Sequence, residues 1–155
     1  MKNNKIELNE TEIAFCYQVA SIRRMINRGL GVKDETVKED FMDCEILGVL
    51  GEYAFAKFVN VFPKLIDRVK SGGEDCTYKG YKVDVKATRN SSKGLFIHKQ
   101  NKDIDVYVLA LVSLPIIEIK GWMKSEDIIK DEYKNEKGQY VYNGTLNTNV
   151  LERKL

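Results

Sequence analysis

The sequence predicts an α/β fold in which a mixed β-sheet of about five strands is flanked by helices, two of which precede the sheet. Apolar residues recur at helical spacing over roughly the first 60 positions, and short extended runs follow residue 74. A continuous apolar run at 106–113 is typical of a central strand covered on both faces. The 155 residues suffice for one domain, which we divide into N-terminal helices at 9–60, a sheet at 74–123, and a short helix and tail at 124–155.

The first predicted helix runs over residues 9–27. Asn9 or Thr11 can cap its start, and Gly29 and Gly31 follow its end. Its predicted apolar face comprises Ile13, Cys16, Tyr17, Ala20, Ile22 and Met25.

The second predicted helix runs over residues 34–60, with acidic residues in its first turn and Pro63 after its end. Residues 46–59 are apolar almost all round, which predicts that this half is buried. Gly48 and Gly51 lie in its interior, where each glycine costs about 1 kcal/mol relative to alanine. We therefore expect the helix to approach a flat surface closely at these positions.

The rest of the chain reads as short strands ending in a helix and a polar tail. Lys79 and Gly80 form the turn of a predicted hairpin, and Pro115 separates the last two strands. Ser125 is the expected cap of the final helix. The predicted elements are the hairpin at 75–89, strands at 95–97, 106–113 and 116–123, the helix at 125–130, and the tail from residue 133.

Composition favours a soluble protein of the cell interior. Hydrophobic residues make up 43% and charged residues 31% of the chain, and we find neither a membrane-spanning run nor a signal peptide. Its small size and its Lys- and Asn-rich composition suit a phage or mobile-element gene. Cys16, Cys44 and Cys76 are widely spaced and His98 is the only histidine, which argues against zinc binding and favours reduced thiols in a cytoplasmic setting.

Charge is unevenly distributed along a chain whose net charge is only +2. Residues 20–33 carry four basic residues and no acids, whereas residues 34–45 carry six acids and one lysine. Residues 64–102 carry ten basic residues and four acids. Basic segments of this kind suit a polyanionic partner, although a solvated surface has the same composition.

Candidate chemistry concentrates in the predicted hairpin. Asp84 and Lys86 alternate with apolar residues, so both side chains point to the same face of a strand. Asp75 lies nine residues before Asp84, and the hairpin turn brings the two carboxylates together, where they can share a divalent cation. Glu52 follows Gly51 on the buried helix and needs a metal, a hydrogen bond or a charge partner there.

This arrangement resembles the PD-(D/E)xK nuclease superfamily, which includes restriction endonucleases, phage-type exonucleases and archaeal Holliday-junction resolvases. The match covers residues 45–129: a helix with Glu52, then Asp75, a hairpin, and Asp84 and Lys86 in the Asp-x-Lys motif, followed by further strands. The resemblance implies a restriction endonuclease-like fold and hydrolysis of DNA phosphodiester bonds.

The resemblance also implies roles for individual residues. Asp75, Asp84 and the backbone carbonyl of Val85 would bind Mg²⁺, for which Mn²⁺ often substitutes. Lys86 would position or activate the attacking water and help neutralise the phosphorane. Glu52 would bind a second metal ion or a water beside it.

Some assignments stay open at this point. Glu74 stands where the family places proline, so either Glu74 or Asp75 is the first metal-binding acid. Lys99 and Gln100 follow a short strand at a position where family members sometimes place an extra polar active-site group. For His98 we favour a surface or DNA-facing position without a catalytic role, since a satisfied structural histidine is the commoner case.

We expect a Mg²⁺-dependent endonuclease, selective for DNA structure or only weakly for sequence, that acts as a homodimer on duplex or branched DNA. The alternatives are a non-catalytic nucleic-acid-binding protein on the same fold, a restriction or repair nuclease acting on duplex DNA, and an interaction protein in which the four charges form a buried ion-pair network. The expected DNA-binding residues are Arg23, Arg24, Arg28, Lys79, Lys82, Arg89, Lys93, Lys99 and Lys102.

Overall fold

The computed structural model describes residues 3–31, 41–66 and 73–155. It shows an α/β protein with a mixed five-stranded sheet, which confirms the predicted fold class at this level. The predicted start of the second helix at 34–40 lies outside the described residues. The elements are β1 (Lys5–Glu7), α1 (Glu10–Gly29), α2 (Phe41–Val59), β2 (Cys76–Tyr78), β3 (Tyr81–Thr88), β4 (Leu95–Ile97), β5 (Val106–Ser113), β6 (Ile116–Lys124), α3 (Ser125–Ile128) and β7 (Tyr140–Tyr142).

The main sheet has the strand order β1-β6-β5-β3-β2, in which β3 and β5 are parallel and the other pairs are antiparallel. Two expectations were wrong. We did not predict β1, which pairs with β6 from a polar segment. We assigned β4 to the main sheet, but it pairs with β7, which we also did not predict, in a separate two-stranded sheet. A three-residue strand carries too little alternation to show which strand it pairs with, and β1 and β7 carry too little to be recognised at all.

Two hydrophobic clusters cover the faces of the main sheet. On one face, Val106 and Val108 of β5 pack with α1 and α2. On the other face, Tyr107 and Leu109 pack with β4, α3 and β7. The prediction that β5 is a central strand buried on both sides is therefore confirmed. No helix among the described residues is both long and apolar enough to cross a membrane.

Helix α1 begins with a capping box. The Asn9 side chain accepts from the Glu12 backbone N–H at 2.8 Å, and Glu12 accepts in return from the Asn9 N–H at 2.8 Å. The predicted apolar face is only partly correct, since Ile22 and Met25 are 40% and 72% exposed. The buried face includes Arg23 instead.

Helix α2 ends at Val59, where Asn60 adopts a left-handed conformation with φ of 56°, so Pro63 lies beyond the end and does not cause it. The helix approaches the sheet closely at Gly51. A Cβ atom added there would lie 2.8 Å from Ala87 Cβ and 3.5 Å from Ala110 Cβ. At Gly48, the nearest such atom would be Glu52 Oε1 at 3.9 Å. Close packing therefore explains Gly51 but not Gly48.

These two glycines should respond oppositely to alanine. We expect Gly51→Ala to lower the free energy of unfolding by about 1–3 kcal/mol, because neither backbone-linked methyl group can move aside. Gly48→Ala is the matched control in the same helix, and we expect it to raise stability by up to about 1 kcal/mol through helix propensity. Urea unfolding of both variants checks this, and equal effects would show that α2 does not contact the sheet as described.

The C-terminal tail is held against the rest of the fold at two places, near residues 147–149 and near the C-terminus. Trp122 exchanges backbone hydrogen bonds with Asn147 at 2.9 and 3.1 Å, and its indole N–H donates to the Asn149 carbonyl at 2.8 Å. Near the C-terminus, Lys154 Nζ contacts Asp105 Oδ1 at 2.7 Å.

The expected Ser125 cap is wrong, because Lys124 occupies the N-cap position of α3 without a side-chain hydrogen bond.

The Asp105 contact predicts a pH-dependent contribution to stability. Burial raises the pKa of Asp105, but hydrogen bonds from the Lys154 ammonium and the Lys82 backbone N–H outweigh it and bring this pKa below its usual 3.8. A folded-state pKa below the unfolded one stabilises the folded chain above the unfolded value. The stabilisation is lost as the pH falls below about 3.8 through the folded pKa.

We therefore expect Asp105→Asn to lower stability at pH 7 by at most about 1 kcal/mol, since both partners are partly exposed. The difference from wild type should vanish as the pH falls below about 3.8. Thermal melting from pH 7 to pH 3 measures it, with Asp103→Asn at a neighbouring exposed position as control. A difference that does not become smaller between pH 7 and pH 3 would contradict the assignment.

Candidate active site

The candidate site forms where the edge of β3 extends past β2. The three residues of β2 pair with Tyr81–Val83 of β3. Asp75 comes just before β2, and its backbone N–H donates to the Val83 carbonyl at 2.8 Å. Its carboxylate then accepts from the Val85 N–H, with Asp75 Oδ2 at 2.6 Å. Asp75, only 4% exposed, is thus held in place by the backbone of the strand that carries the Asp-x-Lys motif.

The backbone of Val85 contributes a second oxygen at this edge. The N–H and C=O groups of one strand residue point to the same side of the strand. Because the Val85 N–H points at Asp75, the Val85 carbonyl is directed to the same edge. The sheet geometry therefore directs a carboxylate and a peptide oxygen toward the same part of the strand edge.

Asp84 and Lys86 lie on the strand face opposite to Val83 and Val85, as their alternation predicts. The Lys86 ammonium lies 2.8 Å from Asp84 Oδ1 and 3.0 Å from Asp84 Oδ2. It also lies 6.0 Å from the centre of the Tyr107 ring. The Lys86 side chain is 36% exposed and that of Asp84 is 17% exposed, so both can be reached from solvent.

Glu52 is held by Arg23 of α1. The guanidinium donates from Nη1 to Glu52 Oε1 at 3.0 Å and from Nη2 to Glu52 Oε2 at 2.6 Å, and both residues are 7% exposed. Arg23 Nε also donates to the Leu65 carbonyl. Burial lowers the pKa of Arg23, but the hydrogen bond and charge of Glu52 raise it above its usual value. Glu52 thus has the charge partner that its burial requires.

This placement corrects our expectation for Arg23, which we assigned to an outer DNA-contacting surface. The residue points inward because it continues the buried stripe of α1 through Cys16 and Ala20. Asn27 lies one turn further along and also lines the cleft. Polar residues at positions 23 and 27 of an otherwise apolar stripe were the available sequence signal for a buried partner of Glu52.

All four predicted catalytic residues line one cleft of about 480 Å³. Val85 and Thr88 of β3 contribute to its wall, as do Leu47 and Gly48 of α2. Its described charged lining comprises the carboxylates of Glu45, Glu52, Asp75 and Asp84 and the basic groups of Arg23, Lys86 and Lys93.

The structure distinguishes Glu74 from Asp75. Glu74 pairs with Lys64, whose Nζ lies 2.5 Å from Glu74 Oε1, and this hydrogen bond lowers the pKa of Glu74. Asp75 is on the described lining of the cleft and Glu74 is not. The geometry therefore favours Asp75 as the acid at this site.

Most residues expected to bind DNA are spread beyond the cleft. Lys93 lines it, whereas Arg89 lies at its margin in an ion pair with Asp43. Lys79 lies in the hairpin turn, four residues and therefore about 13 Å along the strand from Asp75. Lys82 lies early in β3, with its backbone N–H bound by Asp105. Strand direction thus separates residues that are close in sequence.

The remaining predicted polar positions are on the surface. Arg28, Lys99, Gln100 and Lys102 are exposed, and Arg24 is half-buried on α1. His98 is exposed as well, with its Nδ1 3.0 Å from Gln139 Nε2, in agreement with a surface position.

The donor chemistry of the cleft suits a hard divalent cation. Asp75, Asp84 and the Val85 carbonyl offer oxygen atoms, the ligand type that Mg²⁺ takes. The neighbouring Cys76 is a free thiol whose pKa burial raises to about 12. Among the described residues, no group of three or more His, Cys, Asp or Glu side chains is placed to hold a metal ion. The protein oxygens that the cleft offers to such an ion are therefore the carboxylates of Asp75 and Asp84 and the carbonyl of Val85.

Comparisons with models of protein families, with curated proteins and with solved structures find no match. The functional assignment therefore rests on the geometry of the cleft and on the resemblance carried by its motif.

Proposed function

We propose that this protein is a metal-dependent DNA endonuclease of the PD-(D/E)xK type, with a restriction endonuclease-like fold. The observation that carries the proposal is that Glu52, Asp75, Asp84 and Lys86 all line one cleft, although they come from two elements and a loop. A sequence motif alone has a high false-positive rate, and its expected spatial context is the appropriate test.

The order of elements also supports the proposal. The glutamate is on a helix that precedes the sheet, and Asp75 begins a hairpin whose second strand carries Asp84 and Lys86. That strand then lies parallel to the central strand β5. Each feature agrees with the family pattern that the motif resembles.

Asp75, Asp84 and the Val85 carbonyl would hold a Mg²⁺ ion, for which Mn²⁺ would substitute. When bound, such an ion supplies a Lewis acid that polarises the phosphate and acidifies a water molecule. The chain itself holds Asp75 rigid through the Val85 N–H. A fixed carboxylate loses little entropy on binding a cation, which favours a well-defined geometry.

Lys86 would position the attacking water and offset the negative charge that develops on the phosphate. Its ammonium is compact, carries three hydrogen-bond donors, and forms an ion pair with the carboxylate of Asp84. With 36% of its side chain exposed, it remains accessible to a substrate entering the cleft.

The expected substrate is DNA, bound through the phosphate backbone. Lys93 at the cleft and the exposed basic residues around it would contact phosphates, which set affinity and salt dependence but not sequence choice. We therefore propose selectivity for DNA structure, such as branches or junctions, or weak sequence selectivity. A homodimer would place one site on each strand.

A non-catalytic DNA-binding protein is the second candidate. The observation that favours it is that Glu52 is paired with Arg23 and Asp84 with Lys86, as in a structural ion-pair network. In that case the cleft stabilises the fold and the basic surface binds DNA.

One gel experiment separates these functions. Wild-type protein and Asp84→Asn are incubated with single-stranded, duplex, flap and four-way-junction DNA in Mg²⁺, Mn²⁺ or EDTA. The proposal predicts metal-dependent cutting by wild type alone, strongest on branched DNA. Strong cutting of linear duplex would instead support a restriction or repair nuclease. Retarded but uncut DNA in every metal would identify the binding protein and overturn the nuclease.

A further inference from the structure

The Arg23–Glu52 pair changes what the cleft can bind. Both carboxylate oxygens of Glu52 accept hydrogen bonds from one guanidinium, at 3.0 and 2.6 Å. This is the bidentate geometry in which Arg holds a carboxylate most firmly. Glu52 can coordinate a cation only beside a permanent positive charge, because arginine does not lose its proton in proteins.

The position of Arg23 is set by several contacts. Its Nε donates to the Leu65 carbonyl, and its Nη1 lies 3.7 Å from Glu45 Oε1. The group is 7% exposed, and swinging it out of the cleft would take from the buried Glu52 the guanidinium that both of its carboxylate oxygens contact. We therefore expect a divalent ion to leave the guanidinium in place on Glu52.

The charge of the cleft leads to the same conclusion. The described lining carries four carboxylates and three basic side chains, an excess of one negative charge. One divalent cation would leave a net charge of +1, which complements the single negative charge of a phosphodiester. Two divalent cations would leave a charge of +3 in a cleft that already holds the Arg23 guanidinium.

We propose that Arg23 is a built-in second cation, which holds Glu52 away from metal coordination and limits the site to one divalent ion per chain. The inference rests on the proposed function, since it concerns the metal site of that nuclease. It departs from the role that the resemblance implies for Glu52. Arg23 is a positioning residue here, because it acts on the site through Glu52.

Metal stoichiometry tests this directly. Mn²⁺ is titrated into the full chain without DNA, and free Mn²⁺ is followed by electron paramagnetic resonance. We expect one bound Mn²⁺ per chain for wild type. Arg23→Gln should bind two, because Glu52 is released as a ligand and the cleft loses one positive charge. Arg28→Gln, at an exposed position of the same helix, should keep one.

A second variant identifies the ligand and guards against misfolding. Arg23→Gln/Glu52→Gln replaces both charges by neutral amides of similar shape and should bind one Mn²⁺ again. Two ions bound to wild type, or one ion bound to folded Arg23→Gln, would overturn the role proposed for Arg23. Should Arg23→Gln not fold, a count of one for both wild type and the double variant supports it, and two for either overturns it.

The same titration separates the failure of this inference from failure of the proposed function. No Mn²⁺ bound to wild type would remove the metal site altogether and, with it, the proposed metal-dependent nuclease. Two ions bound, together with metal-dependent DNA cutting, would leave the nuclease intact and remove only the role assigned to Arg23.

Discussion

Lys86→Met is expected to lower the rate of metal-dependent DNA cleavage by on the order of 1000-fold. The substitution removes the ammonium that lies 2.8 Å from Asp84 Oδ1, while a side chain of similar length remains on β3. Because Lys86 is 36% exposed, losing its ion pair should change the free energy of unfolding by less than about 1 kcal/mol. The substitution should therefore strongly lower the cleavage rate while leaving the free energy of unfolding nearly unchanged.

Single-turnover cleavage of the preferred DNA, with a melting curve for each variant, measures both effects. Lys137→Met is the matched control, since Lys137 is an exposed lysine that precedes β7, is not among the expected DNA-binding residues and lies outside the described lining of the cleft. We expect it to cut within a few-fold of the wild-type rate. Cleavage by Lys86→Met at the wild-type rate would remove the lysine from the mechanism and refute the assigned site.

Glu52→Ala is expected to produce the largest loss of stability, about 3–5 kcal/mol. It leaves the Arg23 guanidinium 7% exposed without the carboxylate that both of its Nη atoms contact. For a domain of this size the change corresponds to a fall in melting temperature of roughly 10 °C. The loss should occur without metal or DNA, because the ion pair is internal.

The double variant Arg23→Met/Glu52→Met tests whether the loss comes from an unpaired charge. Replacing both partners by apolar side chains avoids that charge, so the double variant should be more stable than Glu52→Ala. Urea unfolding of the variants gives the coupling energy. A loss in free energy of unfolding below about 1 kcal/mol for Glu52→Ala would mean that Arg23 can move out of the interior. The pair would then not be a fixed part of the cleft lining.

The long periodic elements could be read from the sequence because their pattern reports burial directly. The apolar run of β5 and the Asp84-x-Lys86 alternation of β3 lie as expected, and Gly51 marks the close contact of α2 with the sheet. In each case one local pattern has one geometric meaning, since side chains alternate in a strand and repeat every turn in a helix.

The short strands and the inner face of α1 could not be read in this way. Strands β1, β4 and β7 have three residues each, and their place depends on partners more than 40 positions away. Arg23 looked like a surface residue because arginine usually is one. The position of Arg23 on the apolar stripe of α1 was the only local signal of its burial, and the partner it meets there depends on the packing of α1 beside α2.

The sequence by itself determined the α/β class, the hairpin, and the residue types of the candidate site. These follow from short-range periodicity and from the chemistry of carboxylates and lysine. Only the tertiary structure decided that Asp75, rather than Glu74, lines the cleft, and that Arg23 holds Glu52. Both outcomes depend on which backbone and side-chain groups come into contact when distant segments of the chain pack together. A buried charge needs a partner, and the tertiary packing decides which group provides it.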